Sequence, residues 1–217
     1  MWRTKVLLAD DHTLVLEAFK RLLEPEFEVV GAVADGRELL AAAQALNPDV
    51  ILLDISMPLL NGLDAARQLK GLCPRTKLIF LTMNEDSDMA EEALRLGASG
   101  YLLKTSAPAE IAKAIHDAIR GLKYVTPTMK RELEKAFVEG HPNKKEGGEP
   151  TPRQREILRL LAEGRPMQEV ASILKLAPRT VAYHKYRMMK QLRLKSNAEL
   201  LRFAVMNGLA PKDKGLL

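Results

Sequence analysis

The chain predicts a doubly wound α/β domain on a five-stranded parallel sheet, followed by a small all-α domain. Three observations carry this. Short apolar runs alternate with helical patterns through the first half. The alternation stops near Gly121, and a stretch rich in Gly, Pro and charge follows. From Thr151 onward only helix-period patterns remain. With 217 residues, 47% of them apolar, the chain can build two cores. The expected organisation is a first domain over 1–121, a linker over 122–150 that is partly helical and then flexible, and a four-helix second domain over 151–217.

Strands are predicted over residues 5–9, 27–33, 49–54, 77–82 and 100–103. They are nearly all apolar, as a sheet covered on both faces requires. The intervening segments carry apolar residues three and four apart. Leu14, Phe19, Leu22 and Leu23 mark the first helix, and Leu39, Leu40 and Ala43 the second. Leu63, Ala66 and Leu69 mark the third; Ala90, Leu94 and Leu96 the fourth; Ile111, Ala114, Ile115 and Ile119 the fifth. Pro108 fits the first turn of that last helix, where a missing N–H costs nothing.

In such a sheet, ligands bind beyond the carboxyl ends of the strands. Asp10 and Asp11 end the first strand, Asp54 the third and Thr82 the fourth, while Lys104 follows the fifth. One acid at a strand end is ordinarily a turn residue or a cap. Three together repel, by ~4 kcal/mol per contacting pair at an effective dielectric near 20. A hard divalent cation such as Mg²⁺ would offset this, because it takes carboxylate oxygens, waters and phosphate oxygens. Lys104 adds a fixed positive charge. A carboxylate between a metal and a lysine can attack phosphorus, and Thr82 offers a hydroxyl to the transferred group.

In order and context, Asp10-Asp11, Asp54-Ile-Ser-Met-Pro58 with Gly62, Thr82 and Lys104 resemble the signature of the response-regulator receiver family, whose fold is flavodoxin-like. The resemblance covers residues 5–121. It implies that Asp54 is the phosphoacceptor, that Asp11, Asp54 and the Ser56 backbone carbonyl ligate Mg²⁺ directly, and that Asp10 acts through water. It also implies that Thr82 and Lys104 assist the transfer and that Thr82 and Tyr101 form the switch. Met83 departs from the small residue usual after the threonine, and its bulk is expected beside the phosphoryl group.

Charge divides the chain. Residues 1–121 carry a net −5 and residues 151–217 a net +9, within an overall +5. A basic domain on an acidic one points to a polyanion partner for the second domain. The lone Cys73 excludes an internal disulfide and argues against a cysteine zinc site. No apolar stretch reaches the length of a membrane span and no secretory leader is visible, so a cytoplasmic, membrane-free protein is expected.

In the second half, Thr151-Pro152-Arg-Gln154 reads as a capping box and Gly164 as a helix stop. Residues 168–174 form a short helix, Pro178 opens a longer one reaching about Arg193, and Ser196-Asn-Ala-Glu199 opens the last. Two helices joined by a tight turn, the second long and basic, suit major-groove insertion. Thr151-Pro-Arg-Gln-Arg-Glu156, Leu160-Leu-Ala-Glu-Gly164, Glu169-Val-Ala171 and Thr180-Val-Ala-Tyr-His184 resemble the LuxR-type helix-turn-helix output domain of NarL/FixJ response regulators. Pro166 and Met167, Lys175 and Ala177 depart from it, standing where a Ser-Asn cap, a turn glycine and a hydroxylated cap are usual. On the helix wheel Arg179, Ala182, Tyr183 and Tyr186 are expected to read bases, and Lys185, Arg187 and Lys190 to meet phosphates. His184 is expected near the packed face. Leu201 and Val205 on the last helix are the candidate dimer contact.

The function expected is a response regulator. A partner histidine kinase phosphorylates Asp54 with Mg²⁺, and the active form, a homodimer, binds double-stranded DNA and controls transcription. The receiver catalyses only its own phosphotransfer and dephosphorylation. A phosphohydrolase would need a substrate pocket and a general acid, and no cap domain supplies them. A constitutive DNA binder, using the receiver only as an interaction module, leaves the acid cluster without a purpose.

Overall fold

The computed structural model describes residues 3–83, 86–138 and 149–209. The chain divides into two compact units, Met1–Ala136 and Phe137–Leu217.

In the first unit, strands β1 (Lys5–Ala9), β2 (Glu28–Val33), β3 (Val50–Asp54), β4 (Lys77–Thr82) and β5 (Gly100–Leu103) alternate with helices α1 (Thr13–Leu23), α2 (Gly36–Leu46), α3 (Gly62–Leu72), α4 (Ser87–Arg95) and α5 (Pro108–Ile119). A sixth strand, β6 (Tyr124–Val125), and helix α6 (Pro127–Val138) follow. All pairs are parallel, in the order β2-β1-β3-β4-β5-β6. The sheet therefore has six strands where the sequence predicts five. A two-residue strand leaves no periodicity to read. It is held by backbone, with Tyr124 N–H donating to Ser99 O at 3.0 Å and Thr126 N–H to Tyr101 O at 3.1 Å.

Alternation along the strands divides the core into two layers. Val6, Leu8, Val50, Leu52, Ile79, Leu81 and Leu102 pack with Phe19 and Leu23 of α1 and Ile111, Ala114 and Ile115 of α5. Their neighbours along the strands, Leu7, Ile51, Leu53, Phe80 and Tyr101, are equally buried. On the α2–α3–α4 side, Leu39, Leu63, Leu69, Met89 and Ala93 are buried too. Arg67 of α3 pairs there with the buried carboxylate of Glu92 on α4.

In the second unit, α7 (Pro152–Ala162), α8 (Met167–Ile173), α9 (Pro178–Gln191) and α10 (Asn197–Met206) surround two small apolar clusters. Ile157, Val170, Ala171 and Val181 join α7, α8 and α9, while Leu158, Met188, Leu200 and Ala204 join α7, α9 and α10. The capping box at Thr151 forms in both directions: Gln154 N–H donates to Thr151 Oγ1 at 3.2 Å, and Thr151 N–H to Gln154 Oε1 at 2.9 Å. The cap residues of α8 and α9, Pro166 and Ala177, make no side-chain cap. Lys175, in the turn between them, has a φ of 53°, in the left-handed region that favours glycine. Most of the stretch read as a flexible linker, including His141, lies outside the described residues.

Candidate functional site

β1 and β3 are neighbours in the sheet although β2 lies between them in sequence, so the chain reverses its winding there. Their carboxyl ends bring Asp10, Asp11 and Asp54 to one crevice, where a doubly wound sheet opens a binding site. Lys104, just past the end of β5, reaches the same point. Its Nζ lies 2.5 Å from Asp10 Oδ2 and 3.1 Å from Asp54 Oδ2. Asp54 is 4% exposed and the Lys104 side chain equally little, so water screens these contacts weakly. The Lys104 N–H donates to Thr82 O at 2.7 Å, which ties the lysine loop to the β4 end. Thr82 and Tyr101 are both buried.

Burial pushes the Asp54 carboxyl above its ordinary value. The neighbouring Asp10 adds to the rise, while Lys104 and the Ser56 backbone N–H act against it. Asp10, Asp11, His12 and Asp54 each bring a ligand atom to within 4.8 Å of the others. Three carboxylate oxygens in a half-buried pocket fit a hard divalent ion.

Gly62, part of the signature that resembles the receiver family, has a steric role. A Cβ there would sit 2.1 Å from the backbone oxygen of Asp54, and its N–H donates to Ile55 O at 2.9 Å. The start of α3 therefore lies directly on the strand end that presents Asp54. Met83, whose bulk is expected beside the phosphoryl group, is 65% exposed. Sequence reasoning gave no part to His12, whose Nδ1 is 3.1 Å from Asp10 Oδ1 and 3.1 Å from Asp11 Oδ1. The Asp10-Asp11-His12 run is the signal for it in the sequence.

On α9, Val181, His184 and Met188 are buried and Leu192 at its end is half-buried. Arg179, Tyr186 and Lys190 are exposed on the other side, with Ala182, Tyr183 and Arg187 half-buried beside them. Arg187 Nη1 donates to Tyr183 OH at 3.1 Å and its guanidinium lies over the Tyr183 ring, so each side chain helps to hold the other. Lys185, expected among the phosphate contacts, is 8% exposed, with Nζ 5.2 Å from the Tyr186 ring centre. The reason is positional. Lys185 lies four residues after Val181 and three before Met188, inside the apolar stripe. On α10, Leu200 and Ala204 are buried, while Leu201 and Val205 are half-buried.

Residues 6–116 match the family described as response regulator receiver domain, and residues 151–204 match the bacterial regulatory proteins of the luxR family. The chain is 34% identical to the oxygen regulatory protein NreC of Staphylococcus carnosus, over 94% of this chain and 98% of that one. It is 34% identical to the nitrate/nitrite response regulator NarL of Escherichia coli, over 89% and 91% of the two chains. Among solved structures, RcsB of Salmonella enterica bound to a promoter in the presence of a phosphomimetic is similar, with a TM-score of 0.61 and 29% identity over 93% of this chain and 98% of that one. With both domains matched and likeness along nearly its whole length, the chain belongs to the NarL/FixJ family of two-component response regulators, a receiver domain followed by a LuxR-type DNA-binding domain.

Proposed function

We propose that Asp54 is the phosphoacceptor and that its phosphorylation by a partner histidine kinase in the cytoplasm controls binding of the second unit to double-stranded DNA. The observation that carries this reading is the buried contact of Lys104 with both Asp10 and Asp54 at the winding reversal of the sheet. An Asp54 carboxylate oxygen attacks phosphorus as the bond from phosphorus to the donor nitrogen breaks, and the released imidazole takes up a proton. Lys104 Nζ stays between Asp10 and Asp54 and faces the charge that grows on the phosphoryl oxygens. Thr82, at the adjoining strand end, offers its hydroxyl to the same group. Mg²⁺ would be held by Asp11, Asp54 and the Ser56 carbonyl, with Asp10 acting through water, and would neutralise the equatorial oxygens. The three carboxylates support that assignment. Tyr101, which shares the β5 strand with the approach to Lys104, is the switch residue in this reading.

In the second unit, Arg179, Ala182, Tyr183 and Tyr186 read base edges, while Arg187 and Lys190 meet phosphates. The active form is a homodimer joined through Leu201 and Val205 of α10. The chain is a regulator whose only chemistry is on itself. Exposure of the purified chain to acetyl phosphate and Mg²⁺, followed by intact-mass measurement, tests the reading. A single phosphoryl adduct is expected on the wild type and none on Asp54→Asn. An adduct of equal yield on Asp54→Asn overturns the assignment, and rapid release of phosphate without an adduct favours a hydrolase.

A further inference from the structure

We propose that the acidic site is a mixed carboxylate–imidazole site, in which His12 donates a nitrogen and shifts the preference from Mg²⁺ toward borderline divalent ions such as Ni²⁺, Co²⁺ and Zn²⁺. The inference rests on the reading of the three acids as a cation site. His12 is the cap residue of α1, in an extended conformation, and its side chain makes no cap hydrogen bond. The helix start is satisfied by the His12 carbonyl, which accepts from Val15 N–H at 2.9 Å and Leu16 N–H at 3.1 Å. The ring turns back to the acids instead. Its Nδ1 is equidistant from Asp10 Oδ1 and Asp11 Oδ1, at 3.1 Å each. Donors of an octahedral ion with bonds of ~2.1 Å stand ~3.0 Å apart along an edge. The His12 nitrogen therefore already stands from each of these oxygens at the spacing of adjacent ligands around one small cation, and all four side chains bring a ligand atom within 4.8 Å of one another. The His12 side chain is 61% exposed, so a shift of a few tenths of an ångström meets little packing.

Donor chemistry decides which ion gains. Mg²⁺ is hard, keeps its waters and draws little from an imidazole. Imidazole suits Ni²⁺, Cu²⁺ and Zn²⁺, and affinity for mixed N/O sites rises along the first row toward copper. A nitrogen donor beside two or three carboxylates thus favours the borderline ions far more than it favours Mg²⁺. Such an ion and Mg²⁺ would compete for the same acids, which makes the availability of a transition metal an input to the site.

The test is metal affinity by calorimetry on the untagged full chain, for Mg²⁺ and Ni²⁺ separately, with His12→Ala and Asp11→Asn. His12→Ala is expected to weaken Ni²⁺ roughly tenfold or more and Mg²⁺ by less than about threefold. Electron spin-echo spectra of the Mn²⁺-loaded chain are expected to show nitrogen coupling that disappears in His12→Ala. Equal losses for the two ions, or no nitrogen coupling in the wild type, overturn the proposal, because the ring then only holds the acids in place. His116 pairs with Glu26 and His184 is fully buried; nickel held by another histidine would survive in His12→Ala, which also counts against the proposal. If Asp11→Asn leaves both affinities unchanged, the acids are not the cation site and the Mg²⁺ reading falls as well.

Discussion

In the first unit every group assigned to chemistry is set at or just beyond the end of a buried strand, whereas in the second the groups assigned to DNA lie on the open side of one helix. Asp10, Asp54 and Thr82 are buried, and β1, β3 and β4 are almost wholly so. Their positions follow from the sheet register, and a shift of one residue would turn each side chain to the other face. Arg179, Tyr186 and Lys190 have no such constraint. Their placement depends on four short helices, two of them without side-chain caps, around clusters of four buried residues each. Preorganisation is built into the strand-end acid site, while α9 is held by a much smaller core.

Gly62→Ala would break the first side of this contrast. With a Cβ 2.1 Å from the Asp54 backbone oxygen, α3 or the β3 end must shift. We expect a loss of about 3 kcal/mol in receiver stability, at the upper end of overpacking costs, and slower labelling by acetyl phosphate. A variant that melts and labels like the wild type would show that the strand end is not rigid.

For the second side, Tyr183→Ala should lower the ratio of operator to random-duplex affinity by about 1–3 kcal/mol. Lys190→Ala should weaken both duplexes alike and reduce the log–log salt slope by about 1. Binding measured across a salt series separates the two, and an equal loss on both duplexes for Tyr183→Ala misassigns the reading face.

Lys175→Gly should sharpen the comparison by relieving the left-handed turn between α8 and α9. A gain of about 1 kcal/mol is expected in denaturant unfolding of the second unit, with no change in the first. Failure to stabilise would mean that the turn carries no strain.

The smallest effect is on pH dependence. The folded Asp54 carboxyl lies above its ordinary value of 3.8 because it is buried. Its contribution to stability is therefore fully present below that ordinary value and is lost as pH rises through the folded one. In metal-free buffer, Asp54→Asn should melt slightly higher than the wild type at neutral pH, and the difference should vanish as pH falls below about 3.8. A variant less stable at neutral pH would mean that Lys104 outweighs burial.

The five long strands and the acids at their ends were legible because apolar runs and strand-end carboxylates are local patterns. The starts of β2 and β3 fall one residue inside the expected ranges, and the other three strands match them. Lys185 lies in the stripe of Val181 and Met188, a place that its charge conceals in the sequence. The role of Gly62 was hidden for a different reason: a close approach between segments leaves no mark in either segment alone. Leu59, at a φ of 61° just after Pro58, was equally hidden, since nothing in a leucine announces a left-handed backbone.

β6 bears on how the first unit behaves by itself. Its two residues cover the outer side of β5 opposite Gly100 and Tyr101. A receiver cut at Gly121, the end of the α/β alternation, would leave that side of β5 with unpaired N–H and C=O groups. An open, apolar edge is a template for another chain. Self-association of such a fragment would report the missing strand rather than a regulatory dimer, and a fragment carried on through Thr126 would keep those β5 groups paired.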